Sequence, residues 1–323
     1  MNTKRWIAIV IFVVLLIASS VSNVQQTSRL GGLSMDQELR TTVYKKGGFD
    51  QIALLEVEGI IMDLTTNNVF SSVGYDHRLF LKQLQHAFED ESIKGIVLRV
   101  NSPGGGVVES DEIFHTITKL KKEHDKPIVA YMANTAASGG YYISAPADHI
   151  MANRSTITGS IGVIMQNFNI KELADEWGIK AQTFKSGPHK DIMSPFKNMT
   201  EEEAQILQTL TDEMYQNFVQ VIVDGRGMDK TKVLELADGR IYSGQQAQEL
   251  GLVDSIGFLE NAFEKTAELA QIEDPTVVEY KKAGLSFFGP LYQSLAKGPS
   301  DFLSLRELLY QQETPSMMYL YTW

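Results

Sequence analysis

The stretch GIVLRVNSPGGG, residues 95–106, decides the fold. Its first six residues are almost entirely apolar and rich in branched side chains, which is typical of a strand buried on both faces of a parallel sheet. Asn-Ser-Pro and three glycines then interrupt the strand, because proline fixes one backbone angle and glycine adopts conformations that other residues avoid. The stretch therefore predicts a buried strand that runs into a loop whose backbone N–H groups face outward.

Strands and helices of the same kind flank this stretch. Residues 52–57 and PIVAYM (127–132) predict two further buried strands. Apolar side chains at helical spacing predict helices over residues 79–88 and 113–120. Because buried strands alternate with helices, the sequence predicts an α/β domain with a largely parallel sheet.

The second half of the chain is more helical. Thr200 with Glu203 and Ser243 with Gln246 have the spacing of capping boxes, so each pair predicts the start of a helix. Residues 258–270 predict a last regular helix, and beyond it the periodic pattern weakens.

The overall composition excludes several classes of protein. The 323 residues carry 29 Lys and Arg against 40 Asp and Glu, and the resulting net charge of −11 argues against a nucleic-acid partner. The absence of cysteine excludes disulfides, thiolate nucleophiles and cysteine-ligated zinc or iron–sulfur sites. The six histidines do not have the spacing of a metal-binding motif. We therefore expect no metal site and no other cofactor.

The first residues have the pattern of a membrane anchor. Lys4 and Arg5 precede an apolar run over residues 6–18, and positive residues in that position predict that the rest of the chain lies on the outer side. The run is shorter than the roughly 20 residues of an ordinary span, so a cleaved signal peptide is the alternative to a retained anchor. We favour the anchor and predict residues 1–24 as a single pass through the cell membrane. Residues 25–50 are then a stalk to an extracytoplasmic domain.

Two glycine-rich sites together indicate acyl transfer. The first is the glycine loop of the opening stretch, and the second is ASGGYY (137–142). Ser138 follows a strand and begins a predicted helix, so it is either a nucleophile or an ordinary helix N-cap. In the first case, the N–H groups of Gly105 and Gly139 would stabilise an oxyanion, although the sequence does not separate Gly105 from Gly104.

A serine nucleophile needs a base. His149 follows soon after Ser138 but lies on a strand expected to lead away, whereas FKSGPHK (184–190) offers Lys185 and Lys190. A lysine acts as a base only when it is neutral, and lowering its pKa from about 10.4 to about 8 costs about 3 kcal/mol. Such a shift requires an apolar site and a hydroxyl partner, for which Ser160 is a candidate.

Five segments of the chain match a known family. They are RVNSPGGGVVES (99–110), NTAASGGYYIS (134–144), STITGSIGVI (155–164), FKSGPHKDI (184–192) and GRIYSGQQAQELGLVD (239–254). On these segments, and in this order, the chain resembles the short, single-domain form of the signal peptide peptidase SppA family. SPGGG alone would indicate only the wider ClpP/crotonase superfamily.

The resemblance implies a ClpP/crotonase-like spiral of ββα units and a serine endopeptidase with a Ser/Lys dyad. Carried over position by position, Ser138 is similar to the family's nucleophile and Lys190 to its general base. Ser160 resembles the hydroxyl that orients the lysine, and Gly105 and Gly139 resemble the oxyanion donors.

The resemblance also implies partners and an organisation. The expected substrates are peptides, namely signal peptides already cut from their preproteins, and the expected assembly is a ring of identical subunits at the membrane. Residues 51–272 are then the protease domain and residues 273–323 a C-terminal extension. That extension ends in SMMYLYTW (316–323), which is itself similar to an apolar substrate. We expect this tail to enter an active site, its own or a neighbour's, where it is trimmed or inhibits.

Three other interpretations stay open on sequence grounds. A crotonase-type enzyme acting on CoA thioesters shares the oxyanion loop but needs no Ser/Lys pair. A membrane scaffold with a degenerate protease domain would not need ASGGYY and Lys190 intact. A membrane-bound Ser/Lys protease acting on stomatin-like partners resembles this chain as well, with a shorter spacing between serine and lysine. The Ser-His-Asp arrangement of ClpP fits less well, because Val163 stands where its histidine is expected, about 25 residues after Ser138.

Overall fold

The computed structural model describes residues 39–63, 75–282 and 318–320. The chain divides into two compact units. One comprises Thr41–Tyr280 with Phe287–Trp323, and it contains nearly all described residues. The other comprises Met1–Arg40 with Lys281–Ser286.

The described part contains strands and helices in alternation. The strands are β1 (Leu39–Lys45), β2 (Gln51–Glu58), β3 (Ile93–Ser102), β4 (Gly104–Gly106), β5 (Ile128–Ala137), β6 (His149–Ala152), β7 (Ile157–Gly159), β8 (Ile241–Ser243), β9 (Ser255–Ile256), β10 (Thr276–Lys282) and β11 (Met318–Leu320). The helices are α1 (His77–Glu89), α2 (Val107–Glu123), α3 (Gly139–Ser144), α4 (Lys171–Glu176), α5 (Glu201–Arg226), α6 (Lys230–Leu236), α7 (Gly244–Leu250) and α8 (Leu259–Ala270).

A large, mostly parallel sheet forms the centre of the fold. Its strand order is β1-β10-β2-β3-β5-β6-β9, with β7 paired to both β5 and β8. Neighbours β2, β3 and β5 run parallel, with Ile52 opposite Gly95 and Ile96 opposite Ile128. The predicted α/β class with a largely parallel sheet is confirmed.

Both faces of the sheet are covered. On one face, Val97 and Val129 pack in a cluster with Phe263 of α8. Leu84 of α1 and Ile113 of α2 are fully buried as well, and each such side chain contributes about 1.5–3 kcal/mol by leaving water. The strands therefore have the continuous apolar sequences that predicted them.

The two predicted flanking regions contribute to the sheet. Part of the predicted stalk (25–50) is β1, and the predicted C-terminal extension (273–323) supplies β10. Thr276 of β10 lies opposite Gln51 in parallel register, and Thr42 of β1 donates a hydrogen bond to Glu279 at 3.2 Å. The sheet thus extends beyond the predicted boundaries at residues 50 and 272, because its edge strand β1 and the adjacent strand β10 come from the two flanking regions.

The predicted anchor (1–24) and the first part of the stalk (25–38) lie outside the described residues. Among the helices that the structure does describe, none has the length and apolar character needed to cross a membrane.

Candidate active site

Ser138 lies at the junction of β5 and α3 and is almost completely buried. Its φ is +53° and its ψ is −118°, a conformation that costs a non-glycine residue about 1–3 kcal/mol. The surroundings hold this conformation, since its N–H donates to the Gly159 carbonyl at 2.8 Å and its carbonyl accepts from the Tyr142 N–H at 2.9 Å. The Ser138 side chain makes no N-cap bond to α3. The conformation thus presents the hydroxyl at a strand-to-helix turn rather than using it as a cap.

The glycine loop forms the short strand β4 beside this serine. The Gly104 N–H donates to Ser102 Oγ at 3.0 Å, and the Gly106 N–H donates to the Ile61 carbonyl at 2.8 Å. Ile61 in turn donates to the Gly104 carbonyl at 2.9 Å. Two of the three glycine N–H groups therefore already donate hydrogen bonds within the protein. This leaves Gly105, rather than Gly104, as the candidate donor to a ligand.

The backbone of β4 and the start of α3 are packed too closely for any side chain. A Cβ on Gly104 would lie 2.7 Å from the Gly139 nitrogen, and one on Gly139 would lie 3.1 Å from the Gly105 nitrogen. A Cβ on Gly105 would lie 1.9 Å from the Ile61 carbonyl oxygen. The glycines are thus required for this close approach, which brings the Gly105 and Gly139 N–H groups together next to Ser138.

Ser160 is held near Ser138 by β7. Gly159, which precedes it, provides the carbonyl that binds the Ser138 N–H. Ser160 itself has a φ of +50° and donates its N–H to the Arg240 carbonyl at 2.8 Å. The structure therefore brings together four of the five predicted site residues, namely Ser138, Gly105, Gly139 and Ser160.

Lys190 is the exception. It lies in a turn between α4 and α5, and its side chain is exposed. Among the described residues, its ammonium has no hydrogen-bond or ion-pair partner, and the Ser138 hydroxyl is not within hydrogen-bond distance of it. A single copy of the chain therefore does not form the predicted Ser138–Lys190 contact. His149, the other base considered, bonds Ser255 Oγ at 2.7 Å.

A segment of the C-terminal tail lies along the glycine strand. Strand β11 pairs antiparallel with β4, so that Tyr319 lies opposite Gly105. On its other side, Met318 exchanges backbone hydrogen bonds with Ile164, at 3.1 and 3.3 Å. The Tyr319 carbonyl oxygen faces the glycines, because a Cβ on Gly104 would lie 2.0 Å from it. The tail thus has the backbone geometry of a peptide added to a sheet edge.

The Tyr319 side chain fills an aromatic pocket that the sequence did not reveal. Its ring is fully buried, stacks on Tyr142 with centroids 5.0 Å apart, and contacts Phe218 at 4.7 Å. Its hydroxyl donates to the Met214 carbonyl at 3.0 Å, and the Tyr142 hydroxyl donates to Asp111 at 2.7 Å. Burial raises the pKa of both phenols, so both stay neutral. Only the adjacent tyrosines of ASGGYY hinted at this pocket.

Metal-ligand clusters are not found in the described part of the chain, where no three His, Asp or Glu side chains are arranged to hold an ion. The buried His77 is placed between Tyr75 and Glu112, each at 2.7 Å.

Comparisons with known proteins agree with this geometry. Residues 120–273 match the model of Peptidase family S49. The chain is 40% identical to the "Putative signal peptide peptidase SppA" of Enterococcus faecium, over 99% of both chains. It is also 40% identical to the "Putative protease slr0021" of Synechocystis sp., over 82% of this chain and 90% of that one. "Protease 4" of Salmonella typhi is 34% identical over 71% of this chain and 37% of its own length. The chain therefore belongs to the SppA-type proteases of peptidase family S49 and is a serine peptidase.

Proposed function

We propose that the protein is a membrane-anchored endopeptidase that cleaves remnant signal peptides through a Ser138/Lys190 dyad. One observation carries the proposal. A peptide segment, Met318–Leu320, lies antiparallel on the glycine strand, and its central carbonyl faces the glycines beside Ser138. A substrate bound in the same way would present its scissile carbonyl to the serine hydroxyl.

The proposed reaction uses only groups of the protein and water. Neutral Lys190 takes the proton from Ser138, and the serine oxygen attacks the carbonyl carbon. The N–H groups of Gly105 and Gly139 stabilise the oxyanion, an interaction whose loss commonly costs about 10²–10³ in rate. The Lys190 ammonium then protonates the leaving amine, and a water molecule hydrolyses the acyl-enzyme. Ser160 accepts or donates a hydrogen bond that orients the lysine.

The dyad, we propose, is completed in a ring of identical subunits. Residues 164–199, here called the arm, carry Lys190 and expose a run of large apolar side chains. Trp177 is 71% exposed and Phe184 is 95% exposed, and Phe168, Leu173 and Ile179 are exposed as well. Such an apolar surface favours burial against another protein surface. A second copy is the proposed occupant, because this contact would also bring a lysine base to Ser138, which has none in contact among the described residues of its own chain.

The substrate and location follow from the family and the N-terminal sequence. A relative's name refers to signal peptides, and an apolar pocket beside Ser138 suits the apolar core of such peptides. We place residues 1–24 in the cell membrane as a single-pass anchor. The protease domain, which comprises residues 51–272 and the adjoining strands β1 and β10, then lies on the extracytoplasmic side. The sheet and its helices would be this family's crotonase-like spiral of ββα units.

The dyad is tested by assaying the full-length protein on fluorogenic apolar peptides. Ser138→Ala and Lys190→Ala should each lose at least the roughly 10²–10⁴-fold associated with acid–base catalysis. The wild-type rate should rise towards alkaline pH, because the proposed mechanism requires an unprotonated base. If Lys190→Ala keeps wild-type activity, the dyad is wrong.

The tail is proposed to bind as an internal substrate or inhibitor. Intact-mass analysis of the purified wild type should show chains shortened at the tail, whereas Ser138→Ala should remain at full length. Removal of residues 316–323 should raise peptidase activity if the tail competes with substrate. Identical full-length masses, together with unchanged activity of the truncated chain, would rule out both roles.

A further inference from the structure

The turn that carries Lys190 is held by a lysine on its N-terminal side. Lys185 Nζ donates to the Pro188 carbonyl at 2.8 Å and to Asp191 Oδ1 at 2.7 Å. These two bonds close the chain around residues 186–190. The backbone adds its own contact, since the Lys190 N–H donates to the Gly187 carbonyl at 3.3 Å.

A second lysine connects the same turn to helix α5. Lys197 Nζ donates to Asp191 Oδ1 at 2.8 Å and also contacts the carboxylate of Glu203. Glu203 lies in the first turn of α5, where it and Thr200 form a reciprocal capping box. Its side chain is only 2% exposed, and that of Asp191 is 15% exposed. The turn is thereby linked to a carboxylate whose position the helix itself determines.

We propose that Asp191 is a positioning residue for Lys190, acting through a charge clamp made of Lys185, Asp191, Lys197 and Glu203. Four charges of alternating sign join the turn to the N-terminus of α5, and Lys190 directly precedes the central carboxylate. This proposal rests on the proposed role of Lys190 as the base. The clamp fixes the orientation in which Lys190 extends from the arm, so that the Lys190 amine can contact a serine hydroxyl.

Two features separate this clamp from an ordinary surface ion pair. An isolated exposed pair contributes little, whereas a network with a largely buried carboxylate orders the groups that it joins. The turn also contains Met193 at a φ of +66°, a conformation that a non-glycine residue keeps only when its surroundings impose it. Positional errors of about 1 Å in a catalytic group can cost about 100-fold in rate, so the clamp has a catalytic consequence.

The clamp also limits the electrostatic effect of Asp191 on its neighbour. A free carboxylate next to Lys190 would favour the ammonium form, but two lysines here offset its charge. The ionisable groups around the turn within this chain are Lys185, His189, Asp191, Lys197, Glu202 and Glu203. Removal of single members should therefore shift the pH dependence in opposite directions.

The test measures kcat and KM of the full-length, assembled protein on a fluorogenic apolar peptide across pH. In Asp191→Asn and Lys197→Met, kcat should fall about 10–100-fold with KM within about twofold. The midpoint of the alkaline rise of kcat with pH should move to lower pH in Asp191→Asn, which loses a negative charge. It should move to higher pH in Lys197→Met, which loses a positive charge.

Two further variants complete the design. Asp191→Glu keeps the charge and should recover most of kcat. Glu268→Gln is the matched control, because it removes one carboxylate from the exposed Lys265–Glu268 pair of α8, outside the arm, and should leave kcat unchanged. If Asp191→Asn does not fold, Lys185→Met is measured in its place. It should show the same fall in kcat and the same upward shift of the alkaline midpoint as Lys197→Met.

The outcomes distinguish the clamp from the dyad. Wild-type kcat in both Asp191→Asn and Lys197→Met, with Lys190→Ala inactive, would overturn the clamp and leave the dyad intact. A fall in kcat with a lower melting temperature and no midpoint shift would also overturn it, because that pattern is loss of folded protein. An active Lys190→Ala would instead remove the proposed function itself.

Discussion

At the scale of single residues, the site depends on backbone positions that only glycine or a strained serine can occupy. Gly105 lies between Ile61 on one side and the tail on the other, with no space for a methyl group on the Ile61 side. Ser138 adopts a positive φ because β7 and α3 bind both of its backbone polar groups. The same close packing that requires these residues also brings the candidate donors next to Ser138.

The substitution Gly105→Ala should remove peptidase activity by at least about 100-fold, because the new Cβ would displace β4 from Ile61 and misplace an oxyanion donor. The matched control is Gly162→Ala, whose Cβ would lie at an ordinary 3.5 Å from the nearest backbone atom. Steady-state kinetics and thermal unfolding of both variants test this. Full activity in Gly105→Ala would show that β4 does not bind the substrate.

At the scale of elements, the 26-residue helix α5 connects the two parts of the site. Its first turn binds Lys197 through Glu203, and further along it supplies the Met214 carbonyl and the Phe218 ring to the tyrosine pocket. Gly225 approaches the segment after α3 so closely that a Cβ there would lie 2.3 Å from the Ala145 carbonyl oxygen. A shift of this helix would therefore displace both the turn that carries Lys190 and the tyrosine pocket beside Ser138.

The contacts at the N-terminus of α5 should make the folded state less stable at acidic pH. Hydrogen bonds from Lys185 and Lys197 lower the pKa of Asp191 from 3.8 to about 2. Because the folded value is the lower one, the carboxylate stabilises the fold above about pH 4, and this stabilisation is lost as pH falls towards 2.

Thermal unfolding of wild type and Asp191→Asn from pH 2 to pH 7 measures this contribution. The two melting temperatures should differ at neutral pH and converge at about pH 2. A difference that stays constant over the whole range would contradict the assignment.

At the scale of the whole molecule, the proposed dyad requires a second chain, because Ser138 and Lys190 are not in contact within one chain. A ring would bury the apolar arm and join each serine to a lysine of its neighbour. Mixing two inactive variants tests this arrangement directly. Ser138→Ala and Lys190→Ala subunits, unfolded or dissociated and reassembled together, should recover about a quarter of wild-type activity, since random assembly joins an intact serine to an intact lysine at one site in four.

Mass measurement confirms that the two variants have assembled into the same rings. If such mixed rings recover no peptidase activity, the dyad does not form between subunits. The control is each variant reassembled alone, which should stay inactive.

Local sequence patterns were sufficient for most elements, and they supplied the candidate site residues. The buried strands and the capping boxes were predicted correctly, because each depends on residues adjacent in the chain. The glycine stretch 104–106 was predicted as a loop with outward-facing N–H groups, but it forms strand β4, and the N–H groups of Gly104 and Gly106 bond within the protein. Gly105, Gly139, Ser138 and Ser160 were named from such local patterns, and their catalytic roles stay predictions. Ser138 and Ser160 directly follow β5 and β7, Gly105 lies within β4, and Gly139 begins α3.

The remaining features depend on contacts between distant parts of the chain, and tertiary structure alone decided them. Strands β10 and β11 carry weak signals of their own and exist because β2 and the glycine strand offer unpaired backbone groups to them. The tyrosine pocket combines side chains from α2, α3 and α5. The proposed contact between Lys190 and Ser138 would join two folded surfaces, and spacing along a sequence carries no information about distances between surfaces.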